Sequence, residues 1–463
     1  MRTPPSHHRL LAMVATAGLL VAACGSTPKT TEDASLTAPG ADALSSASGV
    51  VQVSFWHSMD GSNGDALNGL VAAFNQEHQG SIKVNAVYQG KYDDAITKYK
   101  AAIQSSQTPA LIQVYDIGTR FMIDTRQAIP MQSFIDRDRL DVSDLQPNIR
   151  GYYSIGDRLY SMPFNTSMPI LYYNKDAFIR AGLDPSRPPT TLAEIRADAE
   201  KLTSSDGSQI GFGAAIYGWF VEQWAAVANQ QYCDNGNGRD RAATAMTFNQ
   251  DTEVTLLDWW AKMVKDGLAD NTGRNTTDAQ TAFKSGKVAM NIESTGALRG
   301  YQDAAQGKFT LGTGFYPKVN ADDSGGPIIG GASLWIDGPG HSPAEQRAAW
   351  EFVKYLVRED SQATWHTQTG YFPVSRGALD VPADRDWRAR YPQFDTAIRQ
   401  LDQTTLDVAT QGCLLGVMPQ ARKAVEDAIE ATILGRKSAR QALDDAAASL
   451  TGPIETYNRS VGR

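Results

Sequence analysis

The sequence predicts an α/β protein of two domains, and three observations carry that expectation. Its 463 residues exceed what one simple core organises, its 42% hydrophobic and 20% charged content is that of an ordinary globular chain, and strand-like segments alternate with helix-like ones along the body. Strands separated by helices favour parallel pairing, so a mostly parallel sheet is expected. The 40 Gly and 21 Pro are scattered rather than periodic, which excludes collagen and coiled coil. A formal net charge of −8 argues against nucleic-acid binding through the bulk field.

The chain opens with Arg2, His7, His8 and Arg9, then an apolar run, then Val21-Ala22-Ala23-Cys24-Gly25. This reads as a secretory signal over residues 1–23 whose cleavage site is similar to a bacterial lipobox. That likeness implies that Cys24 is acylated and anchors an exported body to the outer face of the cell membrane; a plain signal with a chance cysteine is the alternative. No later apolar run approaches the roughly 18 residues of a membrane span. Residues 24–50 are almost devoid of large apolar side chains and are expected to form a flexible tether. Alternation then predicts strands over 51–56, 82–88, 110–115 and 169–174, with another at 288–292. Helical spacing predicts helices over 65–76, 93–104, 191–201 and 252–265, the third capped by Thr191 and Glu194. After the Gly-rich stretch at 325–335, which reads as a loop entering a strand, the chain is mostly helical: 343–357, 361–368, 419–434 and 438–450.

Signatures of bond-making chemistry are missing: there is no H-E-x-x-H, Walker loop, G-x-G-x-x-G or G-x-S-x-G. His57, His78, His341 and His366 have no zinc-ligand spacing. The run D-N-G-N-G-R-D from Asp234 hints at a calcium loop but lacks the closing bidentate Glu, so a polar turn is favoured. No enzyme activity, cofactor or metal is therefore expected. Cys233 and Cys413 either pair in an oxidising exported setting or remain as buried thiols. More informative is Met418-Pro419-Gln420-Ala421-Arg422, with Pro419 suited to the first helical position and Gly435 to the end. Arg422 would then oppose the helix dipole in the first turn, by a few tenths to about 1 kcal/mol. Either an anion sits at that terminus, or Arg422 leans on a surface carboxylate such as Glu426. Gly330-Gly331 can bring backbone N–H groups close to an oxyanion, Ser294-Thr295-Gly296 can open a helix, and Tyr371 places a hydroxyl at a Gly-Pro turn.

Longer stretches carry a resemblance: F-W-H-S-M-D-G from Phe55, Q-V-Y-D-I-G from Gln113, P-F-N-T-S-M-P-I-L-Y-Y-N-K-D-A-F from Pro163, I-I-G-G-A-S-L-W from Ile328, W-H-T-Q-T-G-Y-F-P-V from Trp365 and M-P-Q-A-R from Met418. The chain resembles the extracytoplasmic solute-binding proteins of ATP-driven importers, in the cluster of the maltose-binding proteins and its glycerol-3-phosphate-binding branch. The resemblance implies a two-lobed, periplasmic-binding-protein-like α/β fold with hinge strands and a ligand cleft. It places lobe 1 at 51–162 and 297–342, and lobe 2 at 163–296 and 343–463. It implies a monomeric receptor that captures sn-glycerol 3-phosphate or glycerophosphodiesters such as glycerophosphocholine and delivers them to permease subunits. By its motifs, Tyr92 and Asp116 would meet the glycerol hydroxyls. Ser167, Ser294, Gly331, Tyr371 and Arg422 would hold the phosphate, donors that suit its oxygens. Leu192 stands where an aromatic cleft residue is expected; Trp219 and Trp224 are the candidates to compensate, with burial in the core as the alternative. Rival readings are an oligosaccharide-binding protein of the same fold and an exported phosphodiester hydrolase.

Overall fold

Strand order in space decides where a ligand can sit. The computed structural model describes residues 36–463; the signal segment, Cys24 and the start of the tether lie outside the described residues. Its strands are β1 (Val51–His57), β2 (Ile82–Tyr88), β3 (Leu111–Tyr115), β4 (Ala128–Ile129), the hairpin β5 and β6 (Ser154–Ile155, Arg158–Leu159), β7 (Met162–Ser167), β8 (Pro169–Asn174), β9 (Ile210–Gly213), β10 (Ala269–Asp270), β11 (Val288–Ser294), β12 (Leu311–Gly314) and β13 (Gly330–Asp337). One sheet has the order β2-β1-β3-β13-β4, with β7 also on β13; the other runs β10-β9-β11-β8-β12.

The sheets are mixed, which corrects the mostly parallel expectation. β1 is parallel to β2 and β3, and β9 to β10 and β11, but β13 runs antiparallel to β3, β4 and β7, and β8 to β11 and β12. The reversed strands are those by which the chain changes lobe. β7 and β8 belong to different sheets with Met168 alone between them, and β13 re-enters the first sheet from the second lobe. Met168 is pinned at the crossing: its N–H donates to Thr295 Oγ1 (3.3 Å) and its carbonyl accepts from the Thr295 N–H (3.0 Å).

Apolar burial divides between the lobes. Phe55 of β1 meets Phe352, and Phe74 of the helix Gly61–Glu77 meets Phe352 and Tyr355 edge-on. In the second lobe Trp224 packs on Trp260 and Tyr316. This distribution moves the expected lobe boundaries. β12 lies in the second sheet, so the return crossing comes after Gly314 rather than near residue 297. The helices Pro343–Leu356 and Glu359–Thr369, assigned above to lobe 2, instead cover β1, β13 and the helix Gly61–Glu77. Their apolar faces show that they cover a sheet without showing which sheet.

The tether is also shorter than 24–50. Ala38 is buried, its N–H donates to Ser133 Oγ (2.9 Å), and Leu44 packs on the first lobe's core. The helix Leu192–Leu202 starts as expected, with the Thr191 side chain accepting from the Glu194 N–H. Cys233 and Cys413 are disulfide-bonded, with Cα atoms 5.7 Å apart. At the Asp234 turn, Asp234 accepts from the Thr244 N–H and hydroxyl, while Asn237 Oδ1 accepts from the Tyr232 and Cys233 N–H groups. Among the described residues no helix is long and apolar enough to cross a membrane.

Candidate functional site

Parallel strands present their carboxyl ends to the same side of a sheet, and loops gather there. β1, β3 and β11 all end at a cavity of about 510 Å³ walled by both lobes. A groove of about 530 Å³ beside Leu140, Val142 and Val357 belongs to the first lobe alone, so it cannot be closed by lobe movement. Tyr92, Asp116, Ser167, Ser294, Gly331, Tyr371 and Trp219 all line the shared cavity. Segments far apart in sequence are thereby brought to one place.

A relay of amides sets the first wall. Ser58 N–H donates to Gln113 Oε1 (2.8 Å), Gln113 Nε2 to Asn165 Oδ1 (2.7 Å), and Asn165 Nδ2 to the Tyr92 hydroxyl oxygen (2.9 Å). That oxygen is thus used as an acceptor, while the Tyr92 O–H is turned to the neighbouring Tyr371 hydroxyl. Burial, reinforced by Tyr371 beside it, pushes the Tyr92 hydroxyl well above its ordinary pKa, so it stays protonated. Tyr92 also stacks on Tyr115, whose hydroxyl donates to Asp93 Oδ1 (2.8 Å).

Backbone geometry explains the glycines of the second wall. Gly331 has φ +89°, and a Cβ there would stand 1.8 Å from the Asn165 carbonyl oxygen. Only glycine lets β13 enter the sheet beside the cavity. Gly331→Ala is expected to cost about 1–3 kcal/mol from backbone strain alone and to weaken ligand binding. Chemical denaturation and calorimetric titration of the variant check both effects. At Gly330 a Cβ would stand 2.4 Å from the Trp219 ring, so backbone and indole are in close contact.

An ionic cluster lies beneath the cavity: Asp116 and Glu426 line it, whereas Arg422 and Glu222 are buried behind them and do not reach its surface. A Cβ on Gly218 would stand 2.9 Å from the Arg422 Cα, so glycine allows the helices Gly218–Val227 and Met418–Ile433 to touch. The side chains one turn further along each helix then interlock. Gly218 N–H donates to Glu426 Oε1 (3.0 Å), while Glu222 takes Arg422 Nε (2.5 Å) and Nη2 (2.9 Å). From the first lobe Asp116 Oδ2 accepts from Arg422 Nη2 (2.6 Å). Burial opposes the charge on Arg422, but Asp116 and Glu222 outweigh it and hold the guanidinium pKa well above its usual value. Desolvation pushes the buried Glu293 carboxyl, also on the wall, up to about 7.

Two expectations change here. Helix Met418–Ile433 starts one residue early, which puts Arg422 in the second turn, where the dipole acts weakly, and its partners are the buried Asp116 and Glu222 rather than Glu426. Leu192 does not reach the cavity: its N–H donates to the Lys318 carbonyl (2.9 Å) and its side chain is buried in the second lobe's core. The second lobe's aromatic lining comes from Tyr217 and Trp219. Sequence reasoning missed Glu222, Asp93 and Asn165, and read Glu426, which lines the cavity, only as a surface carboxylate. Glu222 did carry a signal, the single charged residue in a helix whose every residue is buried.

Two α/β lobes, joined by crossing strands around a polar cavity, define a two-lobed solute-binding protein of the maltose-binding type. Residues 69–396 match the bacterial extracellular solute-binding protein family, and the chain belongs to it. It is 35% identical over 408 residues to the sn-glycerol-3-phosphate-binding periplasmic protein UgpB of Pectobacterium atrosepticum, covering 86% of this chain and 90% of that one. The protein of the same name from Escherichia coli K12 is 34% identical over 421 residues, covering 89% and 94%. Among solved structures, UgpB from Mycobacterium tuberculosis in complex with glycerophosphocholine superposes with a TM-score of 0.73 at 21% identity, covering 88% of this chain and 99% of that one. The GacH receptor of Streptomyces glaucescens gives 0.73 at 18% identity, covering 87% and 98%.

Proposed function

We propose that the protein is the receptor of an ABC importer for glycerol phosphate esters, lipid-anchored through Cys24, monomeric, and coupled to membrane permease subunits. The observation that carries this reading is the Asp116–Arg422 pair under a cavity walled by the hydroxyls of Tyr92, Ser167, Ser294 and Tyr371. A guanidinium suits phosphate oxygens and a carboxylate suits vicinal hydroxyls, and a ligand carrying both can replace the pair's contact with itself. The relatives named for sn-glycerol 3-phosphate support it. Capture proceeds by lobe closure, since a ligand touching both walls favours the closed state.

Charge balance selects among the esters. Asp60, Asp93, Asp116, Glu293 and Glu426 face the cavity against Lys91 and Arg274. That excess of carboxylates disfavours a dianionic monoester and favours a singly charged diester with a cationic head, as in glycerophosphocholine. Calorimetric titration with glycerophosphocholine, glycerol 3-phosphate and maltose in parallel tests the reading. Binding of the phosphate esters, the diester more tightly, with no heat from maltose is expected. Heat from maltose alone would leave the fold standing and overturn the ligand.

A further inference from the structure

Glu222 is a buried carboxylate behind the cavity that does not line it. It is 5% exposed, and among the described residues Arg422 alone donates hydrogen bonds to it. Arg422 is shared: Glu222 holds its Nε edge, and Asp116 holds Nη2 with a longer contact to Nη1 (3.4 Å). One cation thus serves two carboxylates, and this cluster is net negative before any ligand arrives. A phosphate ester adds a further negative charge at the same guanidinium, where unpaired buried charge is expensive. The other groups facing Glu222 offer little relief. They are Glu426 on the Arg422 helix, Asp116 after β3, and the hydroxyls of Tyr217, Tyr232 and Tyr152.

We propose that Glu222 is the positioning residue of the anion site and its proton acceptor, holding Arg422 by the Nε edge and taking up one proton from solvent when an anionic ligand docks on the edge that Asp116 occupies. The proton joins a carboxylate oxygen of Glu222, Arg422 keeps its own charge, and no other bond changes. The neutral acid still accepts from Nε through its carbonyl oxygen, while the guanidinium charge becomes available to the phosphate. Burial already pushes the Glu222 carboxyl up to about 7, against the pull of Arg422, so the proton is within reach of neutral solution. This inference rests on the phosphate-ester reading above.

Glycerophosphocholine is the probe, because its diester phosphate does not itself titrate near neutrality. The whole chain is titrated calorimetrically at about pH 8 in two buffers of different ionisation heat, which gives the protons taken up on binding. Wild type is expected to take up close to one proton. Its affinity should fall as pH rises above about 7, by up to about tenfold per unit while the complex keeps its proton. Glu222→Gln should still bind, with no proton uptake and a flat pH profile. Glu222→Asp, which keeps the charge on a shorter arm, should bind more weakly and keep the uptake. Binding by wild type without proton uptake, or undiminished uptake in Glu222→Gln, would overturn the inference alone. No heat from any phosphate ester would overturn the functional reading and the inference together. If Glu222→Gln does not fold, the wild-type profile decides, and affinity constant between about pH 6 and 9 overturns the proposal.

Discussion

Arg422→Ala is expected to abolish capture of phosphate esters and to lower the stability of the folded protein by about 3–5 kcal/mol. Both effects have one cause. Arg422 is 5% exposed and is the cation between Asp116 and Glu222, so its removal leaves two buried carboxylates without a counter-charge. Breaking a buried pair from one side is far more damaging than replacing the whole pair by apolar groups. Arg422→Lys keeps the charge but cannot serve Glu222 through Nε and Asp116 through Nη2 together, so it should fall between wild type and alanine in both respects. Urea unfolding and calorimetric titration, run on the same preparations, measure the two effects. A variant with wild-type midpoint and affinity would show that Arg422 is neither pillar nor ligand contact.

The second large effect is expected from the disulfide. Replacing Cys233 and Cys413 together by serine should cost about 2–5 kcal/mol, because the bond closes a loop spanning a sequence separation of 180. The bond also fixes the segment that leads into the Arg422 helix. Asn237 accepts the Leu414 N–H (2.8 Å) and donates to the Val408 carbonyl (2.8 Å). Arg239 donates to the carbonyls of Gly412 (3.3 Å) and, across in the first lobe, Tyr152 (3.2 Å). Loss of the bond should therefore weaken ligand affinity along with stability. Thermal unfolding with and without a thiol reductant provides the check; an unchanged midpoint would mean that these hydrogen bonds suffice alone.

Local patterns were legible in the sequence wherever one residue pair or one period decides the outcome. The alternation in β1 and β2 and the Thr191 cap needed no tertiary information, and the structure has them in place. What a helix covers is a different matter. Trp350 and Phe352 announce an apolar face, but only the folded chain shows that it closes over Phe55 rather than over the second sheet. The same limit governed the site. Arg422 stood out because a cation near a helix start is out of place and Asp116 came with the resemblance, but their pairing across 306 residues, and Glu222 at 200 residues from Arg422, needed the fold. Leu192 misled because it follows a turn motif that points to the cleft in the resemblance but to the core in this chain.

The most direct test is a crystal structure of the complex with glycerophosphocholine. The expected result is a phosphate oxygen about 2.7–2.9 Å from an Arg422 guanidinium nitrogen, with Asp116 turned to the glycerol hydroxyls and Glu222 still on Nε. Ligand in the cavity with Arg422 still fully paired to Asp116, or ligand bound elsewhere, would contradict the assignment of Arg422 as the phosphate-reading residue.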